Sequence, residues 1–151
     1  MHHTKTGRKL TDLILEIFRA NGAIINAGNA LVKDLGLTSA RWQVLGALTE
    51  GPATVSDIAR HMGLSRQNVQ RIANQLIKDG FIDTRDNPAH RRAKLCSLSP
   101  SGRKAMDEIT TRQIAWANEF SKGMELEEMT VAASKIRSIR EKLTNDHEVS
   151  E

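Results

Sequence analysis

Gln67, Gln70, Arg71, Asn74 and Lys78 fall at helical spacing, so on a helix they project from one face. Arg, Gln and Asn carry paired donors and acceptors that match the edges of guanine and adenine in the major groove of duplex DNA. No acid shares that face, although a merely solvated face normally mixes in Asp or Glu for ion pairs one turn away. A second basic group follows in Arg91-Arg92, inside a polar stretch that contains Pro88. Exposed arginines on a loop are the side chains that a narrow minor groove attracts.

Other chemistries find no support. The chain has no Gly-x-Ser-x-Gly, no Gly-rich phosphate loop and no His-Glu-x-x-His, so no catalytic residue is assigned and no enzyme or cofactor is expected. His61, His90 and Cys96 are the soft ligands nearest one another, and their spacing fits no metal site. The single cysteine, Cys96, excludes an intramolecular disulfide and suits a reducing cytoplasm. Sequence-specific RNA modules stack bases on exposed aromatics. Phe81 is the only aromatic residue in the basic segment and holds a core-like position, so RNA is disfavoured.

The elements that must carry these groups can be read from caps and periodicity. Apolar residues from Leu10 to Leu35 predict a helix of about seven turns with weak points at Gly22 and Gly28, longer than a small domain needs internally and therefore suited to packing on a partner. Ser39 is expected to cap a helix through Trp42, Val44, Leu45 and Leu48, ending at Gly51-Pro52. Thr54 and Asp57 have capping-box spacing for a short helix through Met62 that Gly63 ends. Ser65 caps the next helix, which buries Val69, Ile72, Ala73, Leu76 and Ile77 and stops at Gly80. Two helices joined by a short Gly-containing turn have helix-turn-helix spacing.

Phe81–Arg85 and Ala93–Leu98 then read as strands around a polar loop, a β-hairpin with its basic pair near the tip. A basic hairpin directly after a helix-turn-helix is the winged form. Ser99-Pro100 opens a helix through Trp116 and Phe120. After Gly123 a last helix carries Leu126 to Leu143, with a polar, fraying tail beyond Thr144.

The 151 residues hold 22 basic and 18 acidic side chains, for a net charge of +4. Residues 52–104 contain ten basic against four acidic, and the rest of the chain twelve against fourteen. The positive surplus therefore belongs wholly to the helix-turn-helix and wing, the distribution expected of a module that binds a polyanion. Charged residues at 26% and apolar ones at 39% describe a soluble globular chain, and no apolar run is long enough to span a membrane. Asp12, Glu16 and Arg19 break any signal-peptide core near the start.

The sequence resembles the MarR family of bacterial and archaeal transcriptional regulators over nearly its whole length. The resemblance rests on 37–45 (LTSARWQVL), 57–65 (DIARHMGLS), 76–82 (LIKDGFI), the wing from Asn87-Pro88 to Arg92, and 98–102 (LSPSG), in that order and spacing. It implies a mainly α fold with a small β-wing (α+β) in a single domain over 1–151. A winged helix-turn-helix at 38–103 (helix-turn-helix 54–79, wing 81–98) would be flanked by dimerisation helices at 8–36 and 104–144. It also implies a cytoplasmic, nucleoid-associated homodimer on a pseudo-palindromic operator, acting as a repressor. A small aromatic or phenolic ligand between the dimerisation helices and the winged domain would release it, and no residue here identifies that ligand.

By the resemblance, Ser65 to Asn74 (Ser65, Arg66, Gln67, Asn68, Gln70, Arg71, Asn74) read the major groove and Arg92 reaches the minor groove. Phosphate contacts are expected from Arg60, Arg66, Lys94 and the helix N-termini at Thr54 and Ser65. His90 stands where the family usually begins its wing with an Asp that orients the arginine. A histidine there contacts phosphate instead, more strongly when protonated. The family's oxidant-sensing cysteine in the first helix is absent here. The alternative function is a winged-helix protein–protein interaction module without DNA binding. It predicts a mixed or acidic wing and acids on the second helix, the reverse of what the residues show.

Overall fold

The computed structural model describes residues 2–148, with side chains described through Thr144 and Asn145. Helix α1 (Lys5–Val32) starts earlier than its apolar pattern, because the Thr4 hydroxyl accepts the Gly7 N–H and caps it. It runs as α-helix through Gly22 and Gly28 and ends in a 3-10 turn (Lys33–Leu35). Helix α2 (Ser39–Gly46) corrects the expected cap and end. Thr38 is the N-cap, while Ser39 is buried inside the first turn. The Ser39 N–H donates to Asn29 Oδ1 at 2.7 Å and its hydroxyl to the Ile25 carbonyl at 2.8 Å, so Ser39 is tied to α1 and does not cap its own helix. The α-helix gives way to turns before Leu48, which is nevertheless buried.

Helix α3 (Val55–Met62) opens with the expected capping box. The Thr54 hydroxyl accepts the Asp57 N–H at 3.1 Å, and Asp57 Oδ2 accepts the Thr54 N–H at 3.3 Å. Gly63, at φ 64°, ends it in the left-handed conformation that lets the chain turn at once into the next helix. Helix α4 (Arg66–Lys78) is capped by Ser65, whose hydroxyl accepts the Asn68 N–H at 3.2 Å. Val69, Ile72, Ala73 and Leu76 are buried on its inner face. Ile77, also expected inside, is exposed.

Three antiparallel strands follow the order β1-β3-β2: β1 (Ala53–Thr54), β2 (Ile82–Arg85) and β3 (Leu95–Leu98). The two-residue β1 was not expected and pairs Ala53 with Cys96 and Thr54 with Leu95, so the N-cap of α3 is also fastened to the wing. Strands β2 and β3 form the expected hairpin in the register Ile82–Leu98 to Arg85–Leu95. Helix α5 spans Pro100–Phe120 and α6 spans Leu126–Glu148, which carries helix past Thr144 where fraying was expected. Residues 149–151 lie outside the described residues. The architecture is mainly α with a small antiparallel sheet.

The chain divides into two compact units, Met1–Gln113 and Ile114–Glu151. The first holds the core, with Val44, Leu45, Leu48, Ile58, Val69, Leu76, Ile82 and Ile109 almost wholly buried. Within it, Arg112 of α5 grips the end of α1. Its guanidinium pairs with both Asp34 oxygens at 2.6 and 2.9 Å, with Glu108 at 2.8 Å, and with the Leu31 carbonyl at 3.2 Å. That guanidinium holds the Asp34 carboxyl below its usual range. Along α1, by contrast, Val32 is the only buried residue, and Leu10, Leu13, Phe18 and Ile24 are exposed. In the second unit Trp116 stacks on Phe120 with ring centroids 5.1 Å apart, and Phe120, Leu126, Val131 and Leu143 are exposed.

Candidate nucleic-acid interface

The N-termini of α3 and α4 and the inner side of the wing enclose a groove of about 780 Å³. Thr54, Arg66, Gln67, Gln70, Asn74 and Arg92 line it, joined by Lys94 from the outgoing side of the wing. Seven of the residues expected to bind DNA are thereby brought together from three elements. Ser56 and Thr84 also line the groove and were missed from sequence, because short hydroxyl side chains carry no pattern signal.

The side chains on α4 are arranged before any ligand arrives. Gln70 Nε2 donates to Asn74 Oδ1 at 2.8 Å. That bond leaves the Gln70 carbonyl and the Asn74 amide hydrogens facing outward, an acceptor beside a donor, which is the pairing an adenine edge requires. Asn68 is half-buried, and its Oδ1 accepts from Arg71 Nη2 at 3.1 Å, so its carbonyl orients the arginine. Arg71 is not in the groove. It lines a neighbouring depression with Thr38, Arg41, Lys78 and Asp79, on the α2 side of α4. The Ser65 hydroxyl accepts the Asn68 N–H as a cap, while the Thr54 hydroxyl gives its proton to Asp57 at 2.7 Å. The Thr54 hydroxyl proton is therefore already committed, and what Thr54 brings to the groove is its place at a helix N-terminus, a position that favours anions.

The wing loop, residues 86–94, is two successive turns. The His90 N–H donates to the Asn87 carbonyl and the Ala93 N–H to the His90 carbonyl, each at 3.2 Å, and Asn87 Oδ1 accepts the Ala89 N–H at 3.0 Å. Arg91 and Arg92 are the two central residues of the second turn. Backbone turns and the Asn87 side chain hold the arginines out, so the charge pair that an Asp at position 90 would supply is not needed to form the loop. Arg92 lines the groove; Arg91 and His90 are exposed at the tip.

Among the described residues Arg66, Arg91, Arg92 and Lys94 form no ion pair. Arg60 differs: it pairs with Asp57 at 3.3 Å and lies outside the groove. The first turn of α4 contains no acid, so the positive end of its dipole adds to the field of Arg66. The groove is thus a positive, amide-lined concavity, suited to a polyanion whose edges donate and accept hydrogen bonds. Burial raises the Cys96 thiol above its ordinary pKa, so it stays protonated in its place on β3. No group of three or more His, Cys, Asp or Glu converges as a metal site among the described residues. No described helix is long and apolar enough to cross a membrane.

Comparison with known proteins agrees with this geometry. Residues 35–93 match the model of the MarR family. An uncharacterized protein of Mycobacterium tuberculosis is 34% identical over 113 residues, covering 75% of this chain and 79% of that one. The fold matches a mutant MarR from E. coli complexed with operator DNA, with a TM-score of 0.79, 16% identity, and coverage of 90% of this chain and 99% of that one. It also matches CouR from Rhodococcus jostii bound to p-coumaroyl-CoA, with a TM-score of 0.75, 22% identity, and coverage of 85% and 91%. Family match, sequence relative and winged-helix fold agree, and the chain belongs to the MarR family of transcriptional regulators, which are not enzymes.

Proposed function

We propose that the protein binds a specific sequence of double-stranded DNA, as a homodimer on a pseudo-palindromic operator, and represses transcription in the cytoplasm. The observation that carries this reading is the groove, where the Gln67, Gln70 and Asn74 amides face a wing arginine among cations that pair with no acid among the described residues. Amides read base edges in the major groove, Arg92 enters the adjacent minor groove, and Arg66, Lys94 and the helix N-termini of α3 and α4 hold phosphates. The E. coli MarR mutant, which shares this fold, is complexed with operator DNA, and this supports duplex DNA as the ligand.

The homodimer accounts for apolar surface that a monomer leaves in water. Leu10, Phe18 and Ile24 on α1 and Phe120, Leu126 and Leu143 in the second unit are exposed, and burying each contributes about 1.5–3 kcal/mol. On this reading 1–151 acts as a single functional domain, with 8–36 and 104–144 as its dimerisation helices. Release by a small aromatic or phenolic ligand rests on family membership and on the thioester bound by CouR.

Selection of bound sites from random duplex DNA tests the core of the proposal. An inverted repeat is the expected product, with binding that weakens steeply as salt rises. The rival reading, a winged-helix module for protein partners, expects no retention on heparin or duplex DNA even at low salt. Protection of a promoter from transcription in vitro, reversed by phenolic acids, tests repression and release.

A further inference from the structure

Arg41 and Asp79 each occupy the helix end that suits them least. Arg41 is in the first turn of α2, which holds no acid, where unpaired N–H groups make the positive end of the dipole. Asp79 is the C-cap of α4, at the negative end. Neither position is explained by its own helix, but the two side chains form an ion pair across 38 residues of sequence. The same guanidinium donates through Nη1 to the Gly36 carbonyl at 2.9 Å, and its carbon lies 5.7 Å from the centre of the Phe81 ring. The side chain is only 14% exposed, and its buried Nε has no hydrogen-bond partner among the described residues. A cation kept this dry with one donor unmet is a poor device for stability alone.

What the arrangement achieves is a connection. One guanidinium joins the corner at Gly36 between α1 and α2, the far end of the reading helix, and Phe81 at the start of the wing. Helix α2 is itself fastened to α1 by the two hydrogen bonds of Ser39. A line of directed polar contacts therefore runs from α1 through Ser39 and Arg41 to α4. We propose that Arg41 is a positioning residue for DNA recognition. Through Asp79 and Phe81 it sets the angle of α4 against α1 and, given the dimer proposed above, the separation of the two reading helices. Arg41 itself lies outside the groove.

The test uses the full-length protein, the duplex it selects from a random pool, and a random duplex at the same salt. R41M keeps the stem on Phe81 and removes the charge; D79N removes the partner from a half-exposed site and serves if R41M folds poorly. Each is expected to weaken the selected duplex roughly tenfold while changing random-duplex binding by less than about twofold. Preference for the natural half-site spacing over spacings one base pair longer or shorter should flatten. Equal loss on both duplexes, or no loss, would overturn the proposal. Amide exchange at residues 75–81, faster in R41M and D79N than in wild type, tests the tie without DNA; unchanged protection refutes it. If wild-type protein selects no duplex, the DNA reading fails, and exchange alone decides whether Arg41 orients α4.

Discussion

On the proposed reading, the cations of the groove set a measurable salt dependence of DNA binding by the dimer. Arg66, Arg92 and Lys94 line it in each copy without an acidic partner among the described residues, so a dimer presents about six. Each phosphate neutralised releases counterions, and the logarithm of affinity falls with that of salt at about 0.9 per contact, giving a slope of about −5. Between about 50 and 200 mM salt this amounts to a loss of roughly a thousandfold. Replacing Arg92 by Ala removes two contacts per dimer, making the slope shallower by about 2 and the loss nearer 150-fold. Arg60 is the internal control, since it pairs with Asp57 and lies outside the groove; R60A should leave the slope essentially unchanged. Fluorescence anisotropy of a labelled duplex, titrated across that salt range, measures all three proteins. A wild-type slope shallower than about −2, or an R60A effect equal to that of R92A, would refute the assignment of the groove as the phosphate-binding surface.

Three further outcomes are expected. Asn74→Ala removes the outward donor next to the Gln70 carbonyl and should cost about 1–3 kcal/mol at one base pair of the selected site, with little change on random DNA, measured by competition with single-base variants. Gly102→Ala places a Cβ 2.0 Å from the Phe81 carbonyl oxygen, which accepts the Ser99 N–H. Prising that backbone contact apart should cost about 3–5 kcal/mol and lower Tm by about 6–20 °C in a chain of this size. A shift of under about 2 °C would show that the start of α5 yields freely. Asp34, held below the usual 3.8 by Arg112, contributes stability that is complete above that value and is lost as the pH falls through and below it. Calorimetry from about pH 5 to about pH 3 should therefore show a steeper fall in Tm for wild type than for D34N, and parallel curves would contradict the pairing.

Features governed by neighbouring residues were legible in the sequence. The Thr54–Asp57 capping box, the Ser65 cap and the Gly63 turn depend on contacts within three or four positions, and each stands where local spacing placed it. The outward amides of α4 were legible for a related reason. Burial of Val69, Ile72, Ala73 and Leu76 on one side forces the polar residues to the other. Helical periodicity names the exposed face but not what stands beside it. That is why Arg71 and Gln70, adjacent in sequence, look equivalent as readers and yet lie on opposite flanks of the helix. Strand β1 escaped notice because two residues carry no alternation. Ser39 and Thr38 are comparable caps in isolation; Thr38 caps α2, while Ser39 is engaged by Asn29 and Ile25 of α1.

The sequence by itself determined the segregation of charge, the helix-turn-helix spacing and the identity of the outward polar side chains of α4, because composition, caps and periodicity act over one or two turns. The tertiary structure decided which of those side chains share a groove, how backbone turns display Arg91 and Arg92 with His90 in place of an acid, and why Arg41 and Asp79 stand at unfavourable helix ends. Each of those outcomes depends on groups brought together across long stretches of chain. Their geometry follows from packing of the whole core and from no local preference.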